Sequence, residues 1–225
     1  MTFTTEQKLL HQVVLHANDV PARGLFGGQM GIVLVLSEYA RLRKLRPLRT
    51  ATNFLLDLVL TNLSTAATLG FADGLTGIGW GVEYLLQHKF QRGSGVEICE
   101  AIDQKLMQQN ILRQTDLTLE QGVEGWLHYI IAHLQGAIRE GRQAFDAAYL
   151  QDVGTMCRHL LQQDLTPSLH SLCAAFLQLM EGQPVSYHFD LHPFIRPGIK
   201  RTTTELGLHN GLAGLLLTNI NPAQS

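Results

Sequence analysis

GFADGLTG, at residues 70–77, leads into an apolar run at 78–86. Its pattern is a glycine, an apolar residue, two variable residues, a second glycine, two further variable residues and a third glycine. GLFGGQMG at 24–31 and GLHNGLAG at 207–214 keep all three glycines, and each leads into another apolar run. A motif that returns at long intervals indicates a repeat protein.

Two weaker copies complete the series. TLEQGVEG at 118–125 keeps two glycines, and TPSLHSLC at 166–173 has His170 and Cys173 where the other copies have glycine. The five copies start near residues 24, 70, 118, 166 and 207, so neighbouring copies are 41 to 48 residues apart. An interval of this length holds one helical hairpin.

The segments around the motifs predict two classes of helix. The runs after the motifs, such as residues 32–36, are apolar on all sides and indicate inner helices that are buried all round. The intervening segments have apolar residues three and four positions apart, as at 54–59, and indicate amphipathic outer helices. The sequence therefore predicts an all-α fold. We expect the Gly-x-x-Gly pair to open each inner helix and to let neighbouring backbones approach.

Composition and charge exclude several classes of protein. Of the 225 residues, 45% are hydrophobic and 16% are charged, which is typical of a compact chain and not of a disordered one. A net charge of −2 offers no general attraction to nucleic acid. We expect no membrane span and no signal peptide. Three widely spaced cysteines, Cys99, Cys157 and Cys173, predict reduced thiols and a cytoplasmic location.

The copies resemble the repeat signature of the lanthionine synthetase C-like (LanC-like) family, above all in GFADGLTGIGW at 70–80. The resemblance implies a single domain over residues 1–225, an α/α toroid whose inner helices surround a central cavity. Family cyclases add cysteine thiols to dehydrated Ser or Thr of a ribosomally synthesised precursor peptide, and they use zinc to hold the thiolate. Family toroids close with seven hairpins, whereas about five are counted here, so an incomplete ring stays open as an alternative.

The chain departs from the family at the zinc ligands. The resemblance places those ligands just before the first glycine of a Gly-x-x-Gly pair, and a thiol-activating zinc site needs cysteine and histidine there. The two residues before that glycine are Phe26-Gly27, Ala72-Asp73, Glu120-Gln121, Ser168-Leu169 and His209-Asn210, and none of them is a cysteine. We therefore expect no cofactor, with zinc only at a site outside the family's pattern. The expected role is an accessory or peptide-binding one in lantibiotic-type peptide modification.

The partners follow from the same resemblance. We expect a precursor peptide or a modifying enzyme, while the missing hairpins leave open an oligomer or a partner that completes the ring. The alternative function is an active enzyme, either a cyclase with a rearranged zinc site or a carbohydrate-active toroid.

Four side chains are candidates for catalytic chemistry. Asp73 and Glu124, with Glu120 beside the latter, offer carboxylates for acid/base chemistry of the glycosidase type. His209 is the one residue with ligand chemistry in a motif slot. Plain structural roles explain them equally: Asp73 as a helix N-cap, the glutamates as first-turn residues favoured by the helix dipole, and His209 as a cap or loop residue.

The inner-helix starts are expected to line the cavity of a toroid. The candidate lining residues are Gly28, Gly31, Gly74, Gly77, Trp80, Gly122, Gly125, Trp126, Asn210, Gly211 and Gly214. Trp80 and Trp126, together with Tyr84, are equally typical of a core.

Three further groups have metal-binding or peptide-binding chemistry. Cys157, His170 and Cys173 match the family's ligand types but lie off its motif, and both cysteines are also typical of small buried hydrophobes. The basic run at 41–49 suits either an acidic leader peptide or a solvated helix end. The stretch 187–197 predicts a loop over one rim, with histidines at no recognised metal spacing.

Overall fold

The chain folds into helices, as the periodicity predicts. The structure is a computed structural model and describes residues 4–61, 63, 67–185 and 187–220. Over these residues it contains α-helices and short 3-10 turns but no β-strand, and no helix there is long and apolar enough to cross a membrane. The α-helices are α1 (Thr5–His16), α2 (Gln29–Leu42), α3 (Arg46–Thr61), α4 (Leu75–Gln87), α5 (Gly95–Ile98), α6 (Glu100–Met107), α7 (Val123–Glu140), α8 (Ala147–Leu160), α9 (Pro167–Met180) and α10 (Leu212–Ile220).

The glycine-bearing motifs mark helix starts. Gly28 and Gly122 are the N-caps of α2 and α7, and α4 and α10 begin directly after Gly74 and Gly211. The expected start of an inner helix within each of these copies is therefore confirmed. Asp73 is not the N-cap of α4, because that helix begins at Leu75 and the residue next to it is Gly74.

The copy at 166–173 behaves differently from the others. Here α9 begins at Pro167, and the hydroxyl of Thr166 caps the helix by accepting the Leu169 N–H at 3.3 Å. A threonine N-cap followed by proline at the first helical position is a strong start signal. The stretch that forms a loop in the other copies is therefore part of the helix in this one.

The two expected classes of helix are present. Every residue of α2 from 29 to 40 and every residue of α4 from 75 to 85 is buried. By contrast, α3 buries one face, and its Phe54 is 60% exposed. The buried residues of α3 are Leu48, Thr52, Leu55, Leu56 and Val59.

The chain divides into two compact units. The first comprises Met1–Ser64, Ala72–Gly74 and Asp190–Ser225, and in it α10 packs against both α1 and α2, while α2 packs against α3. The second comprises Thr65–Phe71 and Leu75–Phe189, where α4 packs against α7, and α9 packs against both α7 and α8. The first and last helices of the chain are thus neighbours within the first unit.

Candidate functional site

The motif loops of three copies lie side by side in the first unit. The backbone N–H of His209 donates to the carbonyl of Phe26 at 3.0 Å, and the N–H of Phe26 donates to the carbonyl of Ala72 at 2.7 Å. These three residues occupy the same, third position of their motifs. The last copy therefore contacts the first, and the first contacts the second, through equivalent hydrogen bonds.

The first glycine of each motif makes this contact possible. A Cβ on Gly24 would lie 2.2 Å from the Cα of Asp73, and one on Gly207 would lie 2.4 Å from the carbonyl oxygen of Phe26. In the second unit, a Cβ on Gly70 would lie 2.2 Å from the side-chain oxygen of Gln121. Each of these glycines thus faces the third or fourth motif position of another copy.

The later glycines of the motif face their own copy. A Cβ on Gly31 would lie 2.1 Å from the carbonyl oxygen of Leu25, and one on Gly214 would lie 2.1 Å from that of Leu208. A Cβ on Gly125 would likewise lie 2.2 Å from the carbonyl oxygen of Leu119. The space in front of the third motif glycine is therefore filled by the motif loop that precedes it, and at Gly31 and Gly125 also by Leu208 and Phe71 of other copies, at 2.8 and 2.4 Å. Gly28, Gly122 and Gly211 likewise face the loops before them, and Gly74 and Gly77 are buried at the start of α4.

Asp73 and His209 hold the motif loops together. The carboxylate of Asp73 accepts the Gly27 N–H at 3.1 Å. The ring of His209 stacks on Phe26 with 4.9 Å between ring centroids, and its Nδ1 is 2.8 Å from the carbonyl oxygen of Phe194, to which it donates. Asn210 is exposed beside them. Both candidate catalytic side chains in this unit thus have structural partners.

Glu124 belongs to the second unit. It lies in the first turn of α7 and is half-buried, while Glu120 is exposed in the loop before that helix. A carboxylate in the first turn of a helix is favoured by the helix dipole. The structure therefore places Glu124 where the helix-dipole explanation expects it, in the first turn of α7.

Trp80 lies within an aromatic cluster of the second unit. The indole N–H of Trp80 donates to the hydroxyl oxygen of Tyr187 at 2.7 Å, and that hydroxyl is 2.8 Å from Nδ1 of His128. Since Tyr187 accepts from Trp80, its own O–H is directed to His128, which must then accept. Burial lowers the pKa of His128 to about 4, so that a neutral, accepting imidazole is the expected form.

The other aromatic candidates are also satisfied inside the unit. Trp126 is buried, and its indole N–H donates to the carbonyl of Leu69 at 3.1 Å. Tyr84 is buried and stacks on His88, and Phe189 packs against Trp80 with 5.5 Å between ring centroids. The segment that carries Tyr187 and Phe189 thus covers Trp80. The sequence analysis did not identify His128 as a hydrogen-bond partner of Tyr187.

A charged network lies buried in the second unit, and sequence reasoning missed it. Nδ1 of His133 donates to the carboxylate of Glu83 at 2.7 Å, and Nε2 donates to that of Asp103 at 2.9 Å. The phenol of Tyr129 donates to the second oxygen of Asp103. Because both ring nitrogens donate to carboxylates, His133 is an imidazolium ion. At 0%, 1% and 8% exposed side-chain area, the three charged groups are closed to water.

The pKa values within the network follow from this burial. Burial lowers the pKa of His133, but the hydrogen bonds with Asp103 and Glu83 outweigh it and raise the pKa to about 9. Burial raises the pKa of the Cys99 thiol and of the Tyr129 phenol well above their usual values. Both groups therefore stay protonated at neutral pH, and neither is an activated nucleophile.

Two glycines fit tightly around Glu83. A Cβ on Gly95 would lie 2.1 Å from one carboxylate oxygen, and a Cβ on Gly136 would lie 2.2 Å from the other. The amide of Gln87 donates to the carboxylate at 2.7 Å. One signal in the sequence points to this network: Glu83 and His133 are ionisable residues inside otherwise apolar inner runs, and such residues are buried only when paired.

The candidate metal ligands lie in different surroundings. Within the described ranges, no group of three or more His, Cys, Asp or Glu side chains is arranged to hold a metal ion. Cys157 and Cys173 are buried and hydrogen-bonded to each other, and this bond, followed by burial, raises the pKa of Cys157. His170 is exposed on α9, and His192 bonds to Asp190 at 2.8 Å. All three cysteines are free thiols, as expected.

No protein-family model, no curated protein and no solved structure matches this chain.

Proposed function

We propose that this chain is a LanC-like α/α toroid that binds a ribosomally synthesised peptide in an accessory role and without zinc. One observation carries the proposal: the last motif copy contacts the first through the same hydrogen bond by which the first contacts the second. In a closed ring of repeats, the last repeat contacts the first in the same way as neighbouring repeats contact each other.

The packing of the terminal helices supports the ring. α10 follows the last motif copy and packs against α2, which follows the first copy. α10 also packs against α1, and we assign α1 the role of the outer helix next to α10. α1 and α2 thus both flank the last described helix, which supports the proposed contact between the last and the first repeat.

The residues at the family's ligand positions do not fit zinc. None of these positions holds a cysteine, the imidazole of His209 donates to the carbonyl of Phe194, and the carboxylate of Asp73 accepts a backbone N–H. Zinc requires deprotonated thiols or neutral imidazoles as ligands. The accessory, peptide-binding role is therefore favoured over cyclisation. The engagement of Asp73 with Gly27 also favours peptide binding over hydrolysis by Asp73 and Glu124.

The test uses the short peptide with cysteines and Ser or Thr that we expect to be encoded beside this gene. The fluorescein-labelled peptide is titrated against the wild type, Asp73→Asn and Glu124→Gln, and anisotropy is followed. Asp73→Asn keeps an oxygen that accepts the Gly27 N–H, so its fold should be preserved. We expect binding with a Kd of about 10 μM or tighter in all three proteins, as specific complexes require.

Two results would overturn the proposal. The first is the lack of such a peptide gene, or of binding by its product. The second comes from incubating the dehydrated peptide with the protein and zinc, and then counting free thiols by alkylation and mass spectrometry. A zinc-dependent loss of thiols would make the chain a cyclase.

A further inference from the structure

A surface groove lies between α1 and α3 in the first unit. Its volume is about 430 Å³, and it is lined by Gln7, Leu10, His11, Val14, Leu45, Pro47, Leu48 and Ala51. The four lining residues of α1 recur at the spacing of one helix face. We call this feature the α1–α3 groove.

The α1–α3 groove is apolar and open to solvent. Val14 is 37% exposed and Leu45 is 38% exposed, and Leu42, at the end of α2, is 46% exposed. The core-facing residues of α1 are Leu9 and Val13, so Leu10 and Val14 form a second apolar stripe beyond the one that the fold uses. The groove therefore offers an apolar recess that the packing of α1 leaves open to solvent.

Cations border the α1–α3 groove. The segment RLRKLRPLR at 41–49 contains five cations and no carboxylate. Arg41 pairs with Glu38 at 2.6 Å, and Arg43 pairs with Glu6 at 2.9 Å. The other three, Lys44, Arg46 and Arg49, are exposed and make no ion pair with a residue that the structure describes. An occupant with negative charge would therefore complement the border of the groove.

We propose that the α1–α3 groove binds an acidic amphipathic helix, with apolar side chains in the groove and carboxylates toward Lys44, Arg46 and Arg49. The lining residues lie mainly on two helices, and these offer no sheet edge to which a strand could be added. A recess between two helices suits the apolar face of an amphipathic peptide helix, which enters such grooves in known complexes. This inference rests on the proposed function and names the place where an acidic segment of the peptide binds.

The experiment uses a designed probe. The probe is a fluorescein-labelled helical peptide of about 16 residues with leucines at i, i+3, i+4 and i+7 and glutamates elsewhere. A second peptide with lysine in place of every glutamate controls for charge. The variants are Ala51→Trp, which fills the groove from an exposed position, and the double substitution Arg46→Glu with Arg49→Glu. Their matched controls are Ala148→Trp on the exposed face of α8 and the double substitution Lys200→Glu with Arg201→Glu.

We expect the acidic probe to bind the wild type and both controls alike. Ala51→Trp and the Arg46/Arg49 double variant should each weaken binding about tenfold or more. The first fills the apolar groove, and the second replaces the positive charges that attract the glutamates of the probe. The lysine peptide should not bind. Equal binding by wild type and groove variants, or none to the wild type, would overturn the proposal.

Two further measurements identify other occupants. Anionic phosphatidylserine vesicles that sediment the wild type but not the Arg46/Arg49 variant, without probe binding, would show a membrane surface instead. Sedimentation velocity that shows a dimer lost in Ala51→Trp would show a second copy of the chain. If the neighbouring peptide binds wild type and Ala51→Trp equally, the groove is wrong while peptide binding stands.

Discussion

The most deeply buried charges of the described chain are those of Glu83, Asp103 and His133 on α4, α6 and α7. Two carboxylates share one imidazolium, and Tyr129 and Gln87 donate to the remaining carboxylate oxygens. A buried ion pair adds little net stability compared with a packed apolar pair, but removal of one member leaves unpaired charge in the interior. The network therefore specifies how α4, α6 and α7 pack against one another. Loss of one of its charged side chains should lower the free energy of unfolding.

Replacement of His133 by alanine should strongly destabilise the protein. Two carboxylates would then lie buried without their cation, at a cost of about 3–5 kcal/mol in the free energy of unfolding. Urea denaturation followed by circular dichroism measures this change. The control is His170→Ala, an exposed position on α9, for which we expect a change below about 0.5 kcal/mol. A loss of less than about 1 kcal/mol in His133→Ala would contradict a charged network.

Stability should fall at alkaline pH. The pKa of His133 is about 9 in the folded chain, above the value of about 6.5 for an unfolded one. The folded state therefore holds this proton more tightly, and its contribution is complete below about pH 6.5 and is lost as the pH rises through 9. Urea denaturation between pH 7 and 10 should show a falling free energy of unfolding, with a weaker fall in His133→Gln. An identical slope in both proteins would refute this origin.

Among the elements, α7 depends on a glycine in its interior. Gly136→Ala would place a Cβ 2.2 Å from the buried carboxylate of Glu83, and we expect a loss of about 1–3 kcal/mol from overpacking. Gly154→Ala in α8 is the matched control, because its nearest atom would be the Arg158 guanidinium at 3.5 Å. There the better helix propensity of alanine should add up to about 1 kcal/mol. Thermal denaturation measures the stability of both variants. A Gly136→Ala variant that is more stable than the wild type would contradict the tight packing around Glu83.

The sequence predicts some elements better than others because their signals are local. The glycine motifs at 24, 70, 118 and 207 predict helix starts correctly, since the glycine and the apolar run after it are adjacent. The copy at 166 is helical from its second residue, because Thr166 and Pro167 together start a helix earlier. The charged network joins residues 20 to 50 positions apart on three helices, and no spacing rule connects them. Only the presence of ionisable residues within apolar runs could have indicated it.

For the whole molecule, the contact between the last and first motif copies is the feature on which the proposed ring depends. Gly207→Ala would place a Cβ 2.4 Å from the carbonyl oxygen of Phe26, so the two loops would have to separate. We expect a loss of about 1–3 kcal/mol, measured by urea denaturation. Gly27→Ala is the control, since its Cβ would lie 3.4 Å from the Asp73 carboxylate and should cost less than about 0.5 kcal/mol. Equal stability of the two variants would argue against the loop contact.

We proposed that this chain binds its peptide without zinc, and the zinc content of the purified protein checks that claim. Untagged wild type, Cys157→Ser and His209→Ala are dialysed against zinc, then against metal-free buffer, and zinc per chain is measured by elemental analysis. We predict far less than one zinc per chain in all three, because the described residues group no third His, Cys, Asp or Glu ligand with Cys157 and Cys173, and His209 donates to Phe194. About one zinc per chain in the wild type, lost in either variant, would contradict the claim.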